Sequence, residues 1–202
     1  MKSKIINRKP IDYNYVIEVD DIQIDPKNIE NHRQRINTIF SNKPEEYRLE
    51  QINKMIMHDI LFSKAMDYLN TFYEFEIDQD EQAQYEKMIT SEWTKNNVPL
   101  EEQNLELAKI GANKIIIQQL IFNDIQSENN ITVSDDELEK ILIEYYQNTN
   151  QPIRPFKQDL AGYENARQSI IHEKTIAHIL GMFKFNLDKF NQRLEEFAKT
   201  NK

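Results

Sequence analysis

Three short phrases in this chain each stop one helical run and start the next. They are Phe75-Glu76-Ile77-Asp78-Gln79-Asp80-Glu81, Ile131-Thr132-Val133-Ser134-Asp135-Asp136-Glu137 and Phe183-Lys184-Phe185-Asn186-Leu187-Asp188-Lys189. Each opens on apolar residues that alternate as extended backbone would, then places Asp, Ser or Asn where a helix needs a cap. At the middle joint the Ser134 hydroxyl can accept from an orphan N–H of the first turn. Glu137, three residues on, can reach back to the cap's own N–H, so the pair predicts a capping box. Leu138, Ile141, Leu142, Tyr145 and Tyr146 follow at i, i+3, i+4, i+7 and i+8, one apolar helix face.

A second landmark runs in phase with the joints. Asn42-Lys43-Pro44, Asn97-Val98-Pro99 and Asn150-Gln151-Pro152 each put a breaker ahead of a long helical stretch. Pro44 to Asp78 is 34 positions, Pro99 to Ser134 is 35 and Pro152 to Asn186 is 34. The recurrence predicts three helical hairpins over about 47–95, 101–148 and 158–200, each a long helix followed by a shorter one. The run Ile115, Ile116, Ile117, Leu120, Ile121 and Phe122 leaves its helix no polar face, which places it at the centre of the molecule. Three glycines and six prolines in 202 residues leave little material for tight β-turns. The expected fold is all-α: an elongated body of long helical hairpins over 25–202, with a short extended N-terminal segment over 1–24. Within that segment, Met1-Lys2-Ser3-Lys4-Ile5-Ile6-Asn7-Arg8-Lys9-Pro10 reads as a mobile basic tail. Ile11, Tyr13, Tyr15, Ile17 and Val19 then alternate as a strand would. With no sheet to join, that strand should lie along helices or pair between protomers. Asp25-Pro26 opens the first helix, which ends near Ser41.

Charge and composition remove several function classes. A net charge of −9 argues against a general binder of nucleic acid or anionic membrane and suits contact with basic chains. The absence of cysteine removes disulfides, thiol catalysis and thiolate metal sites, and fits a reducing cytosol. The basic N-terminus lacks the apolar core of a signal peptide, and no run approaches the roughly 20 apolar residues of a membrane span. The expected location is the cytoplasm.

Catalytic patterns fail on geometry. His172-Glu173 starts like a zinc-protease motif, but His178 lies six positions on and about 120° round the helix, where i+4 would share the face. The carboxylates of Asp78-Gln79-Asp80-Glu81 and Asp135-Asp136 are helix starts that complement the dipole. There is no Gly-rich phosphate loop or nucleophile elbow. No enzyme, cofactor or metal is expected. Apolar contact is the remaining chemistry: methionines sit along the long helices and aromatics gather at the joints, where the tips of hairpins have few internal partners. The candidate binding residues are Met55, Met57, Phe62, Tyr73, Phe75, Tyr145, Tyr146, Met182 and Phe185.

Over Ile131–Tyr146 the chain resembles the C-terminal, substrate-binding domain of trigger factor. There an apolar-x-Val-Ser/Thr-x-Asp/Glu-Glu-Leu joint opens a helix ending in a large residue. A proline-bearing loop like Asn150-Gln151-Pro152-Ile153-Arg154-Pro155 follows, then a long helix like Leu160–Phe183. The periplasmic chaperone SurA has a related helical core. The likeness extends over roughly 25–200, with 131–183 its specific part. It implies projecting arms around a cradle that holds unfolded chains without nucleotide or metal. The Gly-Phe-Arg-x-Gly-Lys ribosome-docking signature and the isomerase domain of that family have no counterpart here, so neither activity is implied. The expectation is an ATP-independent holdase for exposed apolar segments of unfolded or nascent polypeptides, basic ones included. Its rival is a helical scaffold with one defined protein partner, or a homodimer built through its arms.

Overall fold

A computed structural model describes residues 1–20, 26–96, 98–149 and 160–192. Most of these residues are helical. The elements run β1 (Lys4–Arg8), β2 (Val16–Glu18), α1 (Pro26–Ile39), α2 (Glu45–Asn70), β3 (Tyr73–Glu76), α3 (Gln79–Lys95), α4 (Glu102–Glu128), α5 (Asp135–Thr149), α6 (Leu160–Gly181) and β4 (Lys184–Asn186), with a helical turn over 188–192. The mostly α expectation holds. The first Asn-x-Pro breaker falls in the gap between α1 and α2. Asp25, Asn97, the breaker at 150–152 and the last helix beyond 192 lie outside the described residues.

The chain divides into two compact units, and neither is a continuous segment. One unit comprises residues 1–12 and 66–129; the other comprises 13–65 and 130–202. The boundary expected at residue 24 is therefore displaced, and the N-terminal segment is shared between the two. The helix pairing also differs from expectation. The close pairs are α3 with α4 and α5 with α6, so each pair closes across a proline-bearing breaker and not across a capped joint. The hairpins expected over 47–95 and 101–148 are one helix out of phase.

In the first unit, β1 pairs antiparallel with β3, with Lys4 facing Glu76, Ile5 facing Phe75, Asn7 facing Glu74 and Arg8 facing Tyr73. Ile6 is the extra residue of a bulge in this register. It points outward, and the bulge interrupts the ladder of a two-stranded sheet. Residues 1–10 are thus a docked strand and not a mobile tail. The core of this unit lies along α4, which buries Ala108, Ala112, Ile116, Ile121, Phe122 and Ile125. The apolar run expected at the centre does lie in this core, with Ile115, Ile117 and Leu120 half-buried. Small residues at 108 and 112 let α3 come close, as does Gly111. A Cβ placed there would sit 3.2 Å from Ile89 Cδ1 of α3.

In the second unit, β2 pairs parallel with β4, Val16 facing Lys184, Ile17 facing Phe185 and Glu18 facing Asn186. This is the sheet that the alternating segment was expected to lack. Ile17 and Val19 are buried, whereas Tyr13 and Tyr15 are exposed, so only the end of the alternation faces a core. Val19 packs with Ile60 and Phe190, and Ile56, Met57, Leu61, Phe185 and Leu187 close round them. A second cluster joins Val133, Leu138 and Ile171, with Leu142, Tyr163, Ala166 and Ile170 against it.

Candidate functional site

Each of the three joints starts a helix, and each is completed differently. At the first, the Asp78 carboxylate caps α3 by accepting from Glu81 N at 2.9 Å. The reciprocal half of the box goes to the N-terminal strand. Asp78 N donates to Ser3 Oγ at 2.9 Å, and Glu81 Oε2 accepts from Ser3 N at 2.8 Å and Lys2 N at 3.1 Å. The Ser3 backbone N–H holds the Glu81 carboxyl below the usual carboxylate range; burial opposes this, and the Ser3 side chain and Lys2 backbone N–H add to it. At the second joint the Ser134 hydroxyl accepts from Glu137 N at 3.2 Å, but Glu137 does not complete the expected box. Its carboxylate takes Lys174 Nζ of α6 at 2.9 Å. No strand pairs here; Arg167 Nη1 donates to Val133 O and Lys174 Nζ to Thr132 O. At the third, Asn186 Oδ1 accepts from Asp188 N at 3.0 Å, but the first helical bond, Asn191 N to Leu187 O at 2.9 Å, puts the cap position at Leu187, one residue beyond the expected Asn186.

The nine residues expected to contact clients scatter. Tyr73 and Tyr146 are core residues, 6% and 8% exposed, and offer little surface to a partner. Tyr73 donates its hydroxyl to Asp124 Oδ2 at 2.9 Å, and the Arg8 guanidinium lies 5.6 Å from its ring centre. Phe75, half-buried, stacks on Tyr73 at 5.9 Å. Met57 and Phe185 pack on the Val19–Ile60–Phe190 cluster. Phe62 and Met182 are half-buried. Tyr145 alone of the nine is exposed, its ring edge-on to Tyr146. Tyr73 and Phe75 belong to the first unit and the other seven to the second.

Met55 lines a cavity of about 340 Å³ with His32, Arg35, Gln51, Lys54, His58, Asp59, Glu173 and Ile176. His32 Nε2 lies 2.6 Å from Asp59 Oδ2, a link from α1 to α2. Its lining residues include no serine, threonine or cysteine to act as a nucleophile. Among the described residues no group of three or more His, Asp or Glu is placed to hold a metal ion. No helix among them is long and apolar enough to cross a membrane.

A group of exposed apolar residues on α3, α4 and their connection was not expected from the sequence. Met88 on α3, Val98 and Leu100 in the connection, and Leu105, Leu107 and Ile110 on α4 are all exposed, Leu107 at 50% and Ile110 at 56%. Gln103, Glu106, Leu107 and Ile110 stand at i, i+3, i+4 and i+7, so they share a face. That face is turned away from buried Ala108 and Ala112. The first half of α4 thus faces its small residues inward and two large apolar ones outward. Full burial of such a side chain is worth about 1.5–3 kcal/mol, and roughly half of that is forgone at each of these two positions. A groove of about 700 Å³ runs beside it, lined by Glu86, Glu102, Gln103, Leu105, Glu106, Leu107 and Lys109. A signal was present in Leu105-Glu106-Leu107: two leucines two positions apart on a helix lie about 200° apart, so both cannot face one core.

A mostly α chain built from these capped joints and paired long helices belongs to the family defined by the C-terminus of bacterial trigger factor, whose family model matches residues 72–181. Uncharacterized protein MG377 of Mycoplasma genitalium is 34% identical over 192 residues, covering 95% of this chain and 96% of its own. The MG377 homolog of Mycoplasma pneumoniae is 32% identical, over 91% of this chain and 92% of its own. The crystal structure of the hypothetical Mycoplasma protein MPN555 superimposes with a TM-score of 0.74 at 31% identity, over 92% of this chain and 91% of that one.

Proposed function

We propose that this protein is a cytoplasmic, ATP-independent holdase that binds exposed apolar segments of unfolded or nascent polypeptides and catalyses no reaction. Membership of the trigger factor C-terminal family supports a chaperone role. The observation that carries the reading is the inverted face of α4, with Leu107 and Ile110 outward and Ala108 and Ala112 inward. Single exposed apolar residues are ordinary, but a run of them on one helix pair marks an interaction surface. Glu86, Glu102 and Glu106 line the neighbouring groove, which keeps the surface soluble and favours clients that carry positive charge. Tyr145 and Ile143 on α5 supply exposed apolar area in the other unit.

The test is light scattering from a chemically denatured client diluted into buffer without nucleotide. The wild type should slow aggregation at near-equimolar ratio. The triple substitution Leu105→Ser, Leu107→Ser and Ile110→Ser should lose most of that protection. Because these side chains are already exposed, its unfolding midpoint should stay close to that of the wild type. No protection across several unrelated clients would remove the holdase reading. Enrichment of one folded partner in a pull-down would then support the rival adaptor role.

A further inference from the structure

We propose that β3, the first turn of α3 and the Asp124–Glu128 pair of α4 form an acceptor for an extended basic segment. In this structure the acceptor is filled by the chain's own β1, and a foreign segment of the same chemistry can exchange with it. The acceptor lies apart from the apolar face of α4, and it does not depend on the holdase reading.

Every recognition element is visible in how β1 is held. Main-chain pairing to β3 sets the register and continues as Lys9 N donates to Phe72 O at 2.8 Å. Cations on either side of Ile5-Ile6 meet carboxylates: Lys2 with Asp80 at 3.0 Å, Lys4 with Glu76 at 3.1 Å, and Arg8 with Glu128 at 2.6 Å and Asp124 at 3.1 Å. Arg8 also lies over the Tyr73 ring. Ser3, buried, closes the α3 cap through Asp78 and Glu81. Residues 66–129 hold thirteen carboxylates against four lysines, so the basic strand is seated on a strongly acidic body.

The same contacts make β1 exchangeable. A two-stranded sheet is marginal by itself. The Lys2–Asp80, Lys4–Glu76 and Lys9–Glu74 pairs join side chains that are more than half exposed, and such pairs contribute little and are screened by salt. Ile6 is bulged out and exposed. Main-chain bonds and solvent-facing charges can be supplied by any extended segment with cations flanking a short apolar pair, the strand-addition mode of peptide recognition.

The chain has no cysteine, so Asn7→Cys with Glu74→Cys, at facing positions, can lock β1 in place. A dye-labelled peptide with the sequence of residues 2–10 is titrated into the reduced and oxidised forms at low ionic strength and read by anisotropy. The reduced form should bind it, the oxidised form should bind at least tenfold more weakly, and a peptide with its lysines and arginine replaced by glutamate should not bind. In the otherwise wild-type chain Arg8→Glu, which weakens the resident strand, should tighten peptide binding several-fold. Equal binding by both redox forms, no binding by the reduced form, or no gain in Arg8→Glu would overturn the exchange. So would a disulfide-linked dimer as the main oxidation product, which would assign the edge to a second copy. The locked form keeps the apolar face of α4, so its aggregation protection tests the holdase reading alone while the anisotropy titration tests the acceptor alone, and the two proposals fail separately.

Discussion

Asp78 and Ser134 hold the same position in two copies of one phrase, and each is the residue on which a helix starts. Ser134 gives the cleaner measurement, because its hydroxyl meets Glu137 N while the Glu137 carboxylate is held by Lys174. Ser134→Ala should remove one cap bond and cost about 1 kcal/mol, read as a lower urea midpoint with an unchanged slope. An unchanged midpoint would show that Lys174 and Arg167 hold the start of α5 without the cap. At the first joint the informative group is Glu81. Its folded-state pKa lies below the ordinary value, chiefly through the Ser3 backbone N–H. A depressed carboxyl stabilises the fold above its unfolded pKa, about 4.3, and that contribution is lost as pH falls through the folded value. Chemical denaturation should therefore show stability falling as pH drops below about 4.3, with a shallower slope in Glu81→Gln. Parallel pH profiles for the two proteins would show that the carboxylate does not tie the strand down.

Elements were legible where their cause is local. Caps and breakers act within a few residues, so the starts of α3 and α5 are legible at Asp78 and Ser134, while the last joint's helix starts one residue later than its Asn186 suggested. Pairing was not legible, because it is decided by groups far apart in sequence. Lys4-Ile5-Ile6-Asn7-Arg8 has no alternation to mark a strand, and its partners lie about seventy residues on. Likewise, nothing in matched spacing says whether a helix packs across its joint or across its breaker. Gly111 and the small residues near it settle that choice for α3 and α4, by permitting a close approach that larger side chains would block. Gly111→Leu should push Ile89 away and cost about 1–3 kcal/mol. Gly111→Ala asks only a few tenths of an ångström of the flexible Ile89 tip and regains helix propensity, so it should stay within about 1 kcal/mol of the wild type. Thermal unfolding of both variants checks this. Equal losses would mean that α3 and α4 are not in close contact at this point. The same limit explains the site. Tyr73 and Tyr146 looked available because aromatics at joints were expected to project, yet both are sealed by the cores they help to build.

At the scale of the whole molecule, two forces of different range would act on a client. Apolar contact with Leu107, Ile110 and their neighbours works at van der Waals distance and is not weakened by simple salt. The net charge of −9 acts across solvent and is screened beyond about 10 Å at 0.1 M ionic strength. Which of them holds a client depends on that client's charge. For a basic unfolded protein the electrostatic part should matter most at low salt, through attraction to the glutamates beside the α4 groove. For a neutral apolar client it should matter little at any salt. Raising ionic strength from about 0.05 to about 0.5 M shortens the screening length severalfold. Protection of the basic client, measured by light scattering, should then fall several-fold, while the neutral client should be held as well or better. If both clients respond to salt alike, the acidic surface serves solubility alone and client choice rests on the apolar face.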